Sequence, residues 1–122
     1  MFEKIKLLMS EMEKFFDSVS IANDDALQKA NRAVIFIDRM VPEYLTSNRR
    51  RWDCEIAIMY SVSGDPETAY ELAGEKFNQV DLALENVFSS HELGDLQYSY
   101  QHNVKRLFVF VRATFQWEDT IS

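Results

Sequence analysis

The chain has 122 residues, with 20 acidic against 13 basic side chains and a formal net charge of −7 at pH 7. Its length suits one domain, and 47% hydrophobic residues with only 3 Gly and 2 Pro suffice to bury a core. A disordered chain is therefore excluded, and a single domain over residues 1–122 is expected. The acidic balance disfavours a general nucleic-acid binder or a protein of anionic membrane surfaces, because like charges repel.

The single cysteine and the short apolar runs indicate the redox compartment of the protein and whether it spans a membrane. Cys54 cannot form an intramolecular disulfide, and its alternating apolar surroundings predict a small buried side chain in a reducing compartment. The longest uncharged apolar stretches, residues 33–37 and 107–111, are far shorter than the roughly 20 residues that span a bilayer. We therefore expect no membrane-spanning segment.

The start of the chain has the periodicity of an amphipathic helix. Apolar residues recur at steps of three and four, at Phe2, Ile5, Met9, Met12, Phe16 and Val19. A partner could bind such a stripe, but helices of this kind more often pack on their own core. We predict a core helix that reaches Val19.

Residues 26–41 fit either a helix or a strand. Helical spacing is present at Leu27, Ala30, Val34, Ile37 and Val41. Residues 33–37, by contrast, have the β-branched and aromatic content of a strand, so we predict a short helical segment that leads into a strand. Pro42 is expected to end it, and residues 43–48 with Arg49, Arg50 and Arg51 are expected to form an exposed loop.

The clearest strand in the sequence begins at Trp52. One face carries the alternating residues Trp52, Cys54, Ile56, Ile58, Tyr60 and Val62. Gly64 then permits a turn, Asp65 is placed as a helix N-cap and Pro66 occupies the first helical position. The apolar spacing that follows predicts a helix from Pro66 to near Val87.

The last third of the chain predicts a β-hairpin. After a polar segment, residues 96–102 alternate, and a turn leads to a second strand over residues 107–117, with residues 118–122 as a polar tail. Phe108 and Phe110 make the second face of that strand apolar as well. Two helices cannot cover both faces of the sheet, so we expect Phe108 and Phe110 to form an interface with a second copy of the chain.

The chemically reactive side chains form no catalytic or metal-binding set. The candidates considered are Asp53, Cys54, Glu55, His91, Glu92 and His102. The segment from His91 lacks the second histidine of a zinc helix, Cys54 has no spacing that marks a nucleophile and base, and the glycines are too scattered for a phosphate loop. We therefore expect no catalytic residue, no metal, no cofactor and no enzymatic activity.

The basic cluster Arg49, Arg50 and Arg51 is the one short motif that suggests a partner. Adjacent guanidinium groups can hold phosphate or an acidic patch, although clusters this short are more often simply solvated. The net acidity of the chain argues against sequence-specific DNA recognition, and Arg49, Arg50 and Arg51 as contacts to a partner are our hypothesis.

These elements predict an α+β fold in the order α-β-β-α-β-β, with a mainly antiparallel sheet of about four strands and two helices packed on one face. This order, with an arginine-rich loop before the long strand from Arg51 to Ile58, a helix over residues 66–87 and a terminal hairpin over residues 96–117, resembles the small tail terminator (tail completion) proteins of long-tailed bacteriophages. The resemblance covers nearly the whole chain and rests on architecture, without a diagnostic motif.

The resemblance implies a structural virion protein. Members of that family form a homo-oligomeric, six-fold ring at the head-proximal end of the tail, assembled in the host cytoplasm. The ring ends tail-tube polymerisation, meets the tail tube protein and the head-completion (connector) protein, and lets DNA pass through its lumen without specific binding. Two alternatives stay open: another ring-forming connector or adaptor protein, and a small ligand-binding α+β domain that uses His102 and the hairpin tyrosines.

Overall fold

A computed structural model describes residues 2–121, apart from the side chains of Asp24 and Ala26. Along the chain the elements are α1 (Glu3–Met12), β1 (Ser18–Ile21), a 3₁₀ helix (Asp24–Gln28), β2 (Arg32–Thr46), β3 (Arg49–Ser63), α2 (Pro66–Val87), β4 (Ser90–Gln101) and β5 (Arg106–Thr120). The predicted α+β class is confirmed, and the described residues contain the two expected α-helices. None of the helices in this part of the chain has the length and apolarity to cross a membrane.

The strands form one mixed sheet in the order β1-β2-β3-β5-β4. Strand β1 runs parallel to β2, and every other neighbouring pair is antiparallel. Strands β3 and β5 therefore lie in the interior of the sheet, and the outer edges belong to β4 and, beyond the short β1, to β2.

The sheet has five strands where four were expected, so the order is α-β-β-β-α-β-β. The prediction that α1 reaches Val19 was wrong, because α1 ends at Met12 and Val19 pairs with Ala33 as part of β1. Phe16 and Val19 continue the helical spacing of α1, which concealed a strand only four residues long.

The expected loop around Arg49, Arg50 and Arg51 is instead the tip of a β-hairpin. Strand β2 continues through Pro42 to Thr46, and the three arginines begin β3. Pro42 is tolerated because the outer edge of β2 is unpaired there, so its missing N–H costs no ladder hydrogen bond.

The last hairpin is also longer than its alternating pattern predicted. Strand β4 begins at Ser90, within the expected polar segment, because a bulge between Leu93 and Leu96 interrupts the period of two. The expected polar tail is in part a strand too, since Glu118, Asp119 and Thr120 pair with the three arginines of β3.

Both helices belong to the core on one face of the sheet. The predicted inward alternation of β3 is confirmed, and its six residues are buried with those of β5: Leu107, Val109, Val111, Ala113, Phe115 and Trp117. The helices cover them with Ile5, Leu8, Met12, Ala69, Ala73, Val80, Ala83 and Leu84. The Tyr60 hydroxyl donates to the Ala73 carbonyl at 3.1 Å, which ties β3 to α2.

The predicted helix over residues 66–87 is confirmed. Asp65 holds the N-cap position with an extended backbone, but its side chain makes no capping hydrogen bond. Pro66 at the first helical position sets the helical φ angle, which defines the start of α2 without that bond.

Candidate functional site

The face of the sheet opposite the α-helices is the candidate site, and we call it the open face. Its side chains alternate along each strand with those that face the helices, as in the paired row Val34, Met59, Phe110 and Gln97, of which Val34 is buried. At one end the 3₁₀ helix contacts β2 and β3, and Arg106 Nη1 donates to the Leu27 carbonyl at 3.1 Å. Beyond this contact no α-helix of the described chain covers the open face.

Phe108 and Phe110 lie on the open face, as the sequence predicted, and are part-buried. The Arg106 guanidinium stands 5.0 Å from the Phe108 ring centroid, and that of Arg112 stands 5.6 Å from Phe110. Each ring is thus capped by a cation, an arrangement that is favourable by roughly 0.5–1 kcal/mol at an exposed site. Whether the two rings contact a second copy stays a prediction.

Arginine is concentrated on the open face and lysine is excluded from it. Six of the seven arginines alternate onto this face, Arg50 being the exception, whereas no lysine occurs in any strand of the described residues. Enrichment in arginine, phenylalanine and methionine with depletion of lysine distinguishes protein–protein interfaces from other surfaces. The composition of the open face is therefore that of an interface.

Arg49, Arg50 and Arg51 are not a free basic patch. Arg49 pairs with Glu118 at 2.8 Å, and Arg51 pairs with Glu43. Because residues of a strand alternate, Arg49 and Arg51 lie on the open face and Arg50 lies on the helical side. Their role as partner contacts stays a prediction, but their charges are already neutralised within the chain.

Arg50 holds together an aromatic cluster at the end of the core. Its guanidinium binds both Asp119 carboxylate oxygens, at 3.1 and 2.9 Å, and lies 5.2 Å from the Trp52 ring centroid. Trp52 Nε1 donates to the same carboxylate at 3.1 Å, and Trp52 stacks on Trp117. The hydrogen bonds from Arg50, with that from Trp52, lower the pKa of Asp119. Arg50 thus stabilises this end of the sheet, and its role as a partner contact stays a prediction.

The open face contains a depression of about 400 Å³ between the central strands and both edges. Its lining includes Arg39, Asp53, Glu92 and Gln116. Arg39 lies 3.7 Å from Glu55, whose other carboxylate oxygen contacts Arg112 at 3.2 Å, so the charges around the depression are largely paired. Such a wide, mixed-charge depression suits a protein surface better than a small molecule, which favours a deeper apolar pocket.

Cys54 and His91 do not form a catalytic pair. Both are paired across the sheet with Phe115, so their backbones stand two strand spacings apart, about 10 Å. Burial raises the pKa of the Cys54 thiol to about 12, which keeps it protonated at neutral pH. His91 Nε2 instead lies 2.6 Å from the Asp81 carboxylate and links β4 to α2.

His102 and the tyrosines of the last hairpin, which suggested a ligand pocket, contact other residues of the chain. The Tyr100 hydroxyl donates to the Gly64 carbonyl at 2.7 Å, and its ring packs edge-on against His102. Tyr98 packs against Tyr70 of α2. Among the residues that the structure describes, no three His, Cys, Asp or Glu side chains are grouped so that they could hold a metal ion.

Sequence reasoning missed Arg32, Arg106 and Arg112 as parts of the candidate site. The signal was available in the alternation, because Arg106 and Arg112 share their strand face with Phe108 and Phe110.

A comparison of the chain with models of known protein families gives no match, and a comparison with curated proteins gives none either.

Proposed function

We propose that this chain is a structural virion protein of the tail terminator type rather than an enzyme. Copies of it assemble into a ring, hexameric in that family, at the head-proximal end of a phage tail tube. The ring ends tube polymerisation and joins the tail to the head-completion protein, with DNA passing through its lumen. The open face, with its interface composition and with no α-helix over it in the described part of the chain, is the observation that carries this proposal.

The charge and chemistry of the chain support the same proposal. A net charge of −7 suits a ring that surrounds DNA without binding it, since like charges repel. Cys54 and His91 are separated by Phe115, Glu55 forms ion pairs with Arg39 and Arg112, and His102 packs against Tyr100. The fold order keeps the helix, long strand, helix and terminal hairpin on which the resemblance rests, with β1 added and the expected arginine-rich loop forming the start of β3.

Electron microscopy of the purified protein mixed with tail tubes tests this proposal. We expect rings bound at one end of each tube and tubes that no longer elongate when tube protein is added. Rings that form but bind a head connector and never a tube end would favour a connector or adaptor protein instead. A chain that forms no ring and leaves tube growth unchanged would overturn the proposal.

A further inference from the structure

Helix α2 carries a line of glutamates along its solvent side. Glu67, Glu71, Glu75 and Glu85, which we call the glutamate stripe, are all exposed on one side of the helix. None of them forms a salt bridge with any residue that the structure describes. Residues 65–87 contain six acids and one lysine, so this segment contributes −5 of the net charge of −7.

The stripe is unfavourable in an isolated helix. Glu67, Glu71 and Glu75 follow at steps of four, where like charges destabilise a helix by roughly 0.2–0.5 kcal/mol per pair. Glu85 lies in the last turn, where the helix dipole disfavours a negative charge, and that turn contains no basic residue. A cationic partner would reduce the repulsion between the glutamates and would offset the unfavourable interaction of Glu85 with the helix dipole.

The strand residues at the end of the open face that the 3₁₀ helix contacts supply cations without acids, while the 3₁₀ helix itself carries Asp24 and Asp25. Arg32, Met59, Arg106, Phe108 and Phe110 lie together there, and we call them the Phe/Arg surface. The two paired rows that contain Met59, Phe108 and Phe110 include no acidic residue. Neither Arg32 nor Arg106 forms a salt bridge among the described residues, unlike Arg39, Arg49, Arg51 and Arg112.

We propose that the Phe/Arg surface of one copy binds the glutamate stripe of the next copy. The two surfaces are complementary in charge, and exposed Leu82 beside the stripe offers an apolar contact for the phenylalanines. They lie on opposite layers of the fold, so the contact is head to tail, and such contacts close into rings when the rotation between copies permits. This inference rests on the ring proposed above and names the two surfaces that build it.

A charge exchange tests the contact in the full-length chain. One variant combines Arg32→Glu with Arg106→Glu, and the other combines Glu71→Lys with Glu75→Lys. We expect each variant alone to sediment as a monomer where the unchanged chain is a ring, with the dissociation constant raised roughly tenfold or more. An equimolar mixture of the two should restore the ring, because opposite charges then face each other again.

Two controls separate loss of contact from loss of folding. Glu13→Lys makes one such charge reversal at an exposed position outside both surfaces and should leave the ring intact. Arg106→Gln removes the charge but keeps a donor for the Leu27 carbonyl, so it should fold with an unchanged circular dichroism spectrum and still weaken assembly.

Rings that persist in both charge variants, or a mixture that does not reassemble, would overturn the inference while leaving a ring-forming protein in place. An unchanged chain that stays monomeric would overturn it too. The proposed function is then decided separately by tube-end binding, which needs no prior ring in solution.

Discussion

At the scale of single residues, the Arg50–Asp119 pair should govern the acid stability of the sheet end. The pKa of Asp119 is lowered, so its ionised form stabilises the folded state above the ordinary carboxyl pKa of about 4, and that stabilisation is lost as pH falls through the folded pKa. We expect Asp119→Asn to lower the urea midpoint at pH 7. The difference from the unchanged chain should shrink steadily below about pH 4.

Glu118→Gln is the matched control for Asp119→Asn. Its partner Arg49 is half-exposed, at 51% of the side-chain surface, and exposed ion pairs stabilise by about 0–1 kcal/mol. Two results would contradict the role assigned to Asp119. One is a decrease in the urea midpoint of Glu118→Gln at pH 7 as large as that of Asp119→Asn, and the other is a decrease in Asp119→Asn that does not change with pH.

At the scale of elements, Gly74 weakens α2 without a packing reason inside the monomer. A Cβ built there meets no atom within 4 Å, so Gly74→Ala should raise the free energy of unfolding by about 0.5–1 kcal/mol through the reduced entropy of the unfolded chain. Urea denaturation at one fixed protein concentration measures this free energy.

Gly64→Ala should have the opposite effect. The φ of Gly64 is +139°, which strains any other residue, so this substitution should lower the free energy of unfolding in the same urea measurement.

The elements that the sequence predicted well are those whose pattern is long and has a single period. Strand β3 and helix α2 have such a pattern. In β2 and β4 the bulges beside Asp38 and Gly94 interrupt the period of two, so these strands were predicted less well. In the candidate site, Phe108 and Phe110 were found by alternation. The sequence did not predict that Arg49, Arg50 and Arg51 form ion pairs, in that order, with Glu118, Asp119 and Glu43. Ion pairs between distant segments depend on the register of the strands, which sequence periodicity does not encode.

At the scale of the whole molecule, the two faces of β5 should respond differently to the same substitution. Val109 and Val111 are buried under the helices, so an aspartate there leaves an unpaired charge in the core and should unfold the chain, at a cost of about 3 kcal/mol or more. Phe108→Asp and Phe110→Asp place the charge on the open face beside Arg106 and Arg112. These variants should keep the native circular dichroism spectrum and lose the ring by sedimentation. Equal unfolding by both pairs would show that the open face is part of the monomer's own core, and intact rings in the phenylalanine variants would remove that face from the assembly.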